Sequence, residues 1–193
     1  MEYEVIQPPF TLEFRNMSRE EAIRYFNWFM EQIPIRIRVL ERAVQSTAGY
    51  EDWQADYTPA SLEKLGQWFC EHVATRKRTE EEKETIYSKA PEWFRSVEIE
   101  DWELTNQTFS LAIDIGMYLS RVLEKNCPGL RWVMVKKPRS DADFQQPVLV
   151  GVGKPVFNPI AILVTYAYGI ARRSKGPERL KELYDIWANL LVK

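Results

Sequence analysis

The chain's one histidine, His72, stands two positions from one of its two cysteines, Cys70. A nucleophile and its base must lie within hydrogen-bond reach, and residues two apart on a helix point in different directions. The pair therefore predicts no thiol chemistry. Cys70 reads as a small core residue and His72 as a residue at the edge of an apolar helical face. One histidine with the distant cysteines Cys70 and Cys127 cannot make a zinc site, whose ligands come at short, defined spacings, and gives no disulfide framework. Asp141-Ala142-Asp143 is the best oxygen-ligand candidate for magnesium or calcium, but it lacks the further ligands of a calcium loop and reads as a solvated turn. Gly151-Val152-Gly153-Lys154 invites comparison with a phosphate loop. That motif needs a glycine five residues before its Gly-Lys pair and Ser or Thr after it; Val148 and Pro155 stand there, so Gly-Lys-Pro reads as a turn.

Two groups of acids remain. Glu98, Glu100, Asp101 and Glu103 are dense enough to supply the two carboxylates a glycosidase holds in one cleft, yet a charge run in a loop reads first as a solvated face. Asp114 carries more information, because Ala112, Ile113 and Ile115 surround it. Helical projection puts Gln107, Ser110, Asp114, Tyr118, Arg121 and Lys125 on one side. Asp114 is then either a half-buried acid held by hydrogen bonds or part of a polar binding strip with Tyr118 and Arg121, beside Trp132. No catalytic residue, metal or cofactor is expected, and the chain does not read as an enzyme.

The elements that position these residues are mostly helical. Ser18 and Glu21 form a capping box, followed by Ala22, Phe26, Phe29, Ile33, Ile37, Leu40 and Val44 on one apolar stripe, with Phe26, Phe29 and Ile33 expected to be buried together. Pro34 predicts a kink or break within it. Ahead of it, Phe10, Leu12 and Phe14 alternate with polar residues as a short strand. Thr58-Pro59 opens a second helix, with Leu62, Leu65, Phe69 and Val73 inward. Thr79 to Lys89 is either a solvated helix or a mobile connection, and Pro91 to Leu104 reads as a loop over the core. A third helix runs from about Thr105 to Asn126. Its Gly116 and Ser120 allow another element close to the backbone, with Gly116 buried there and Asp114 at the rim of that contact. Strands from Leu130 to Lys137 and from Pro147 to Val152 make a hairpin with a long loop. Asn158-Pro159 caps a fourth helix. A fifth, after Gly176-Pro177, turns Leu180, Leu183, Tyr184, Trp187, Leu190 and Leu191 inward.

The expectation is one helix-dominated α+β domain over residues 1–193, with a small antiparallel sheet built from the 130–152 hairpin and an N-terminal strand. The 193 residues suit one core. Twenty-six basic residues stand against 28 acidic ones, a balance unlike that of a nucleic-acid binder. The clusters Arg76-Lys77-Arg78, Lys136-Lys137 with Arg139, and Arg172-Arg173 with Lys175 each close a predicted element, where they are well solvated. The start, Met1-Glu2-Tyr3-Glu4, has no basic region followed by an apolar run. No stretch reaches the roughly 18 apolar residues of a membrane span. The expected setting is the cytosol, with no membrane or nucleic-acid partner. Seven Trp, nine Tyr and nine Phe predict a ring-rich core, some rings being available as binding anchors.

At Asp114-Ile115-Gly116-Met117-Tyr118, Leu130-Arg131-Trp132 and Gln146-Pro147-Val148-Leu149, and again at Tyr57-Thr58-Pro59-Ala60-Ser61-Leu62, the chain resembles a bacterial family of small soluble proteins. That family's pattern often carries Gly-Glu where Ser120-Arg121 stand here. Relatives of this kind look like neighbours of toxin genes, which implies immunity proteins; the resemblance implies no reaction, cofactor or catalytic residue. The leading expectation is thus a protein-binding module, of the immunity type that sequesters a toxin, able to form a homo-oligomer as well. The alternative is a small-ligand binder or enzyme with a pocket near Asp114, Tyr118, Arg121 and Trp132.

Overall fold

Ser18 accepts a hydrogen bond from the Glu21 amide while the Glu21 side chain accepts one from the Ser18 amide, and this box starts helix α1, Arg19–Gln45. The computed structural model describes residues 3–92, 98–152 and 155–192. Ala22, Phe29, Ile33, Ile37, Leu40 and Val44 are all buried along one face of α1, whereas Phe26 is only half-buried. The helix runs unbroken through Pro34. Proline inside a helix costs on the order of 3 kcal/mol, but Pro34 faces outward, and the apolar face either side of it, Ile33 and Ile37, continues into the core.

Helix α2, Ser61–His72, starts two residues later than the Thr58-Pro59 pair suggests. Thr58 and Pro59 form a turn whose carbonyls accept the Ser61 and Leu62 amides. A three-residue strand β1, Thr75–Lys77, follows, then helix α3, Glu80–Lys89, which has its own capping box at Thr79 and buries no residue. That segment is therefore a solvated helix. Strand β2, Trp102–Leu104, pairs antiparallel with β1, so the end of the expected 91–104 loop is a strand. Trp93, Phe94 and Val97 of that loop lie outside the described residues.

Thr105 caps helix α4, Asn106–Asn126, with its side chain accepting the Thr108 amide. From Thr108 to Leu123 this helix is buried on nearly every side, the pattern of a helix at the centre of a domain. Strands β3, Arg131–Met134, β4, Pro147–Val150, and β5, Val156–Phe157, make a second antiparallel sheet in the order β3-β4-β5. The hairpin stands where the sequence places it. Gly153 and Lys154, read above as a turn, lie outside the described residues. Asn158 caps helix α5, Pro159–Ala171, by accepting the Ala161 amide, and helix α6, Arg179–Val192, ends the described chain with Leu190 outward. Among the described residues the six helices outweigh two small sheets, so the fold is a helix-dominated α+β domain.

Gly116 shows how tightly α4 is held. A Cβ there would lie 3.1 Å from the Pro159 carbonyl oxygen and 3.1 Å from Ile160 Cδ1, so its absence lets the start of α5 press against α4. The expected N-terminal strand is not formed. Residues 11–13 pair with no other strand; instead Phe10 and Phe14 set their edges against Tyr25, and Phe10 against Trp28. The alternation there reflects rings laid on α1, and a Gln145 side chain holds the backbone by donating to the Phe14 and Met17 carbonyls.

Candidate functional site

Asp114 is wholly buried, not at a rim. Arg36 of α1 meets it in a two-pronged pair, Nε donating to Oδ1 at 2.9 Å and Nη2 to Oδ2 at 2.7 Å. The Tyr3 hydroxyl also donates to Oδ2. Arg36 Nη2 donates to the Glu4 carbonyl at 2.6 Å, and Ser110 Oγ accepts the Ile6 amide at 2.7 Å. The N-terminal segment is thus tied across α1 and α4, and this cover shuts Ser110 and Asp114 of α4 inside. Burial pushes the Asp114 carboxyl up to about 6, against the pull of Arg36 and Tyr3. Burial likewise drives the Tyr3 hydroxyl well above its ordinary value. For Arg36, burial lowers the value but the Asp114 bond and charge outweigh it, leaving the guanidinium raised and fully charged. Among the described residues, Arg36 and Tyr3 are the hydrogen-bond partners of the Asp114 carboxylate.

Tyr118, Arg121 and Trp132 do not join it. The Tyr118 hydroxyl accepts the Tyr57 amide at 3.1 Å and lies 2.7 Å from Ser61 Oγ, clamping the turn before α2 to α4. Burial raises that hydroxyl to about 12. Arg121 is half-exposed, pairs with Glu124 at 3.0 Å and borders a shallow hollow with Pro34, Tyr57 and Lys125. Trp132 lies on a different surface, its ring edge-on to Phe29 at 5.4 Å. The pocket expected around these four residues is not formed among the described residues, because the strip they share on paper is divided between the interior and two separate surfaces.

The remaining candidates are engaged elsewhere. His72 stacks on Trp68 with its Nδ1 2.7 Å from the Trp68 carbonyl, while Cys70 Sγ sits 3.6 Å from the Tyr166 hydroxyl. Glu100 pairs with Arg172 at 2.9 Å, Asp101 with Lys83, and Glu103 with Arg78 at 2.8 Å, so these acids are distributed among separate cations. Asp141 closes a turn by accepting the Asp143 amide, and Asp143 accepts from Asn158. Among the described residues no group of three or more metal-ligating side chains is gathered, and no helix is long and apolar enough to cross a membrane.

What remains open is an edge. Val135 donates to the Gln146 carbonyl and accepts from the Gln145 amide, so its backbone faces β4. By the two-residue period of a strand, Val133 and Arg131 face β4 as well, and Trp132 and Met134 turn their N–H and C=O groups outward. Pro147, which has no N–H, stands opposite Met134 in the register, as that phase requires. Beside this free edge runs a channel lined by Ile23 and Phe26 of α1 and by Trp132, Val133 and Met134. Ile23 is 43% exposed, and Trp132 Nε1 is shut from solvent with no hydrogen-bond partner. Arg19 and Lys136 complete the lining. With the exposed Arg131 and Lys137 they make four cations that have no ion pair among the described residues.

No protein-family model, curated protein or solved structure matches the chain.

Sequence reasoning named Trp132 but missed its setting. Lys136-Lys137 reads as a solvated strand end because nothing local shows that α1 brings Arg19 beside it. The half-burial of Phe26 is the second signal. A stripe residue left partly open marks where α1 lacks a partner, and that is visible only once the packing is known.

Proposed function

We propose that this protein binds another protein by accepting an extended acidic segment along the outer edge of β3. The observation that carries the reading is the pair of outward-facing residues Trp132 and Met134 beside the apolar channel of Ile23 and Phe26. Strand addition of this kind takes its affinity from main-chain hydrogen bonds and its specificity from pockets for alternate side chains. Here the alternate side chains of the guest meet the channel, and the intervening ones meet Arg19, Arg131, Lys136 and Lys137. Cations on an edge deter pairing with a like strand. The same four charges therefore oppose a second copy of this edge and favour an acidic guest.

Such an edge suits a protein that occupies and silences a partner. This supports the immunity-type reading, with a toxin as the guest, made from the family resemblance. The direct test is co-expression with the product of the adjoining gene. Protection from that product's toxicity, abolished by Lys136→Glu with Arg19→Glu, is the expected result. A neighbouring product that is harmless, or protection that survives the double charge reversal, would contradict the proposal.

A further inference from the structure

We infer that the hollow between α5 and α6 binds a small organic anion, one carboxylate or phosphate group on an aromatic or branched apolar body. The cavity is of about 480 Å³, within the range that takes a compact ligand. Ile162, Leu183 and Trp187 give it an apolar side, Thr165, Tyr166 and Ser174 add hydroxyl groups, and Arg172, Lys175 and Arg179 complete the lining. No carboxylate is among its lining residues. Glu100 and Glu182, which pair with Arg172 and Arg179, lie outside that lining. The Lys175 side chain has no ion pair or hydrogen bond among the described residues.

Two placements bring cations to this hollow. Arg179 is the first residue of α6, the end of a helix that disfavours a cation. Gly169, inside α5, costs that helix about 1 kcal/mol relative to alanine. Its absent side chain is what lets the Lys175 stem lie against α5, since a Cβ there would come within 2.5 Å of Lys175 Cγ. Arg179 is met in part by Glu182, and the turn that carries Lys175 is held by the Ser174 and Lys175 amides donating to the Gly169 carbonyl. Both positions leave a cation beside the same hollow, and Lys175 is the one with no counter-charge among the described residues. An amphipathic ligand fits better than a bare ion, because Ile162, Leu183 and Trp187 offer its body apolar contact that a naked phosphate cannot use.

The site is remote in sequence from β3 and does not depend on the partner reading, so either can fail alone. Isothermal titration with indole-3-acetate, phenyl phosphate, indole-3-acetamide and inorganic phosphate tests it. Saturable binding of at least one of the two organic anions is expected, and the tighter of them identifies the head group. The neutral amide should bind about tenfold more weakly or worse, as loss of a charge-assisted bond requires. Lys175→Ala, an exposed loop substitution, should weaken the anion by a similar factor. Equal binding of acid and amide would overturn the inference. So would inorganic phosphate binding as tightly as phenyl phosphate, indifference to Lys175→Ala, or absence of binding by both organic anions.

Discussion

Arg36 of α1 and Asp114 of α4 stand 78 positions apart in sequence and meet in a two-pronged ion pair with both side chains shut from solvent. The pair closes a knot that also holds Tyr3, Glu4 and Ser110. Removing one member of a buried pair strands the other charge, at about 3–5 kcal/mol. Arg36→Ala is therefore expected to destabilise the fold by about that amount in urea unfolding. Replacing both, as Arg36→Met with Asp114→Leu, should recover most of the loss, because apolar groups of similar volume leave no charge uncompensated. A double variant no more stable than Arg36→Ala would show that the N-terminal tie, not the charge balance, dominates.

The same knot should respond to pH. Asp114 holds its proton up to about 6 in the folded protein and up to about 3.9 when unfolded. Between those values the folded state binds the extra proton, so the stability this group contributes grows as pH falls through the window and is lost as pH rises through about 6. The slope is at most about 1.4 kcal/mol per pH unit. Unfolding of wild type and Asp114→Asn from about pH 4 to about pH 7 checks it. Wild type should gain on the variant towards acid. If it loses ground instead, Arg36 and Tyr3 hold the carboxylate below its ordinary value and outweigh burial.

Much of this could be read from the chain, and the failures share a cause. The caps at Ser18 and Asn158 are local chemistry, and both helices start where they say, whereas α2 starts two residues beyond the Thr58-Pro59 pair. The hairpin also depends on nearby residues, whereas the small side of α4 at Gly116 is legible only as room for a neighbour, which proves to be Pro159 and Ile160 of α5. Helical projection puts Asp114 at a rim because it sees only its own helix. What buries it is Tyr3, 111 residues away. Strand β1 carries Thr75-Arg76-Lys77, all exposed, so no alternation announces it. The open edge of β3 depends on which strand is missing beside it, a property of the sheet and not of any residue.

Glycine positions should rank by the backbone they face. A Cβ at Gly66 of α2 would stand 2.2 Å from the Pro177 carbonyl oxygen, closer than the 3.1 Å between a Gly116 Cβ and the Pro159 oxygen. Gly66→Ala should therefore lower the melting temperature more than Gly116→Ala. Gly116→Leu should destabilise by about 1–3 kcal/mol or more through overpacking. A milder effect for Gly66→Ala would mean that the turn before α6 yields.

Phe29 and Phe26 separate stability from binding. Phe29 is 1% exposed, and Phe29→Ala should cost about 3–5 kcal/mol. Phe26 is half-buried on the channel wall, so Phe26→Ala should cost less in denaturant titration and weaken partner binding. Equal losses of stability would place Phe26 in the core after all.

Hydrogen exchange at β3 addresses the central proposal most directly. In the free protein the Val133 and Val135 amides, which face β4, should exchange slowly, and the Trp132 and Met134 amides fast. Adding a soluble peptide of alternating glutamate and valine should slow Trp132 and Met134 selectively, with the effect lost in Lys136→Glu with Arg19→Glu. Fast exchange at Trp132 and Met134 that saturating peptide leaves unchanged would contradict strand addition at this edge.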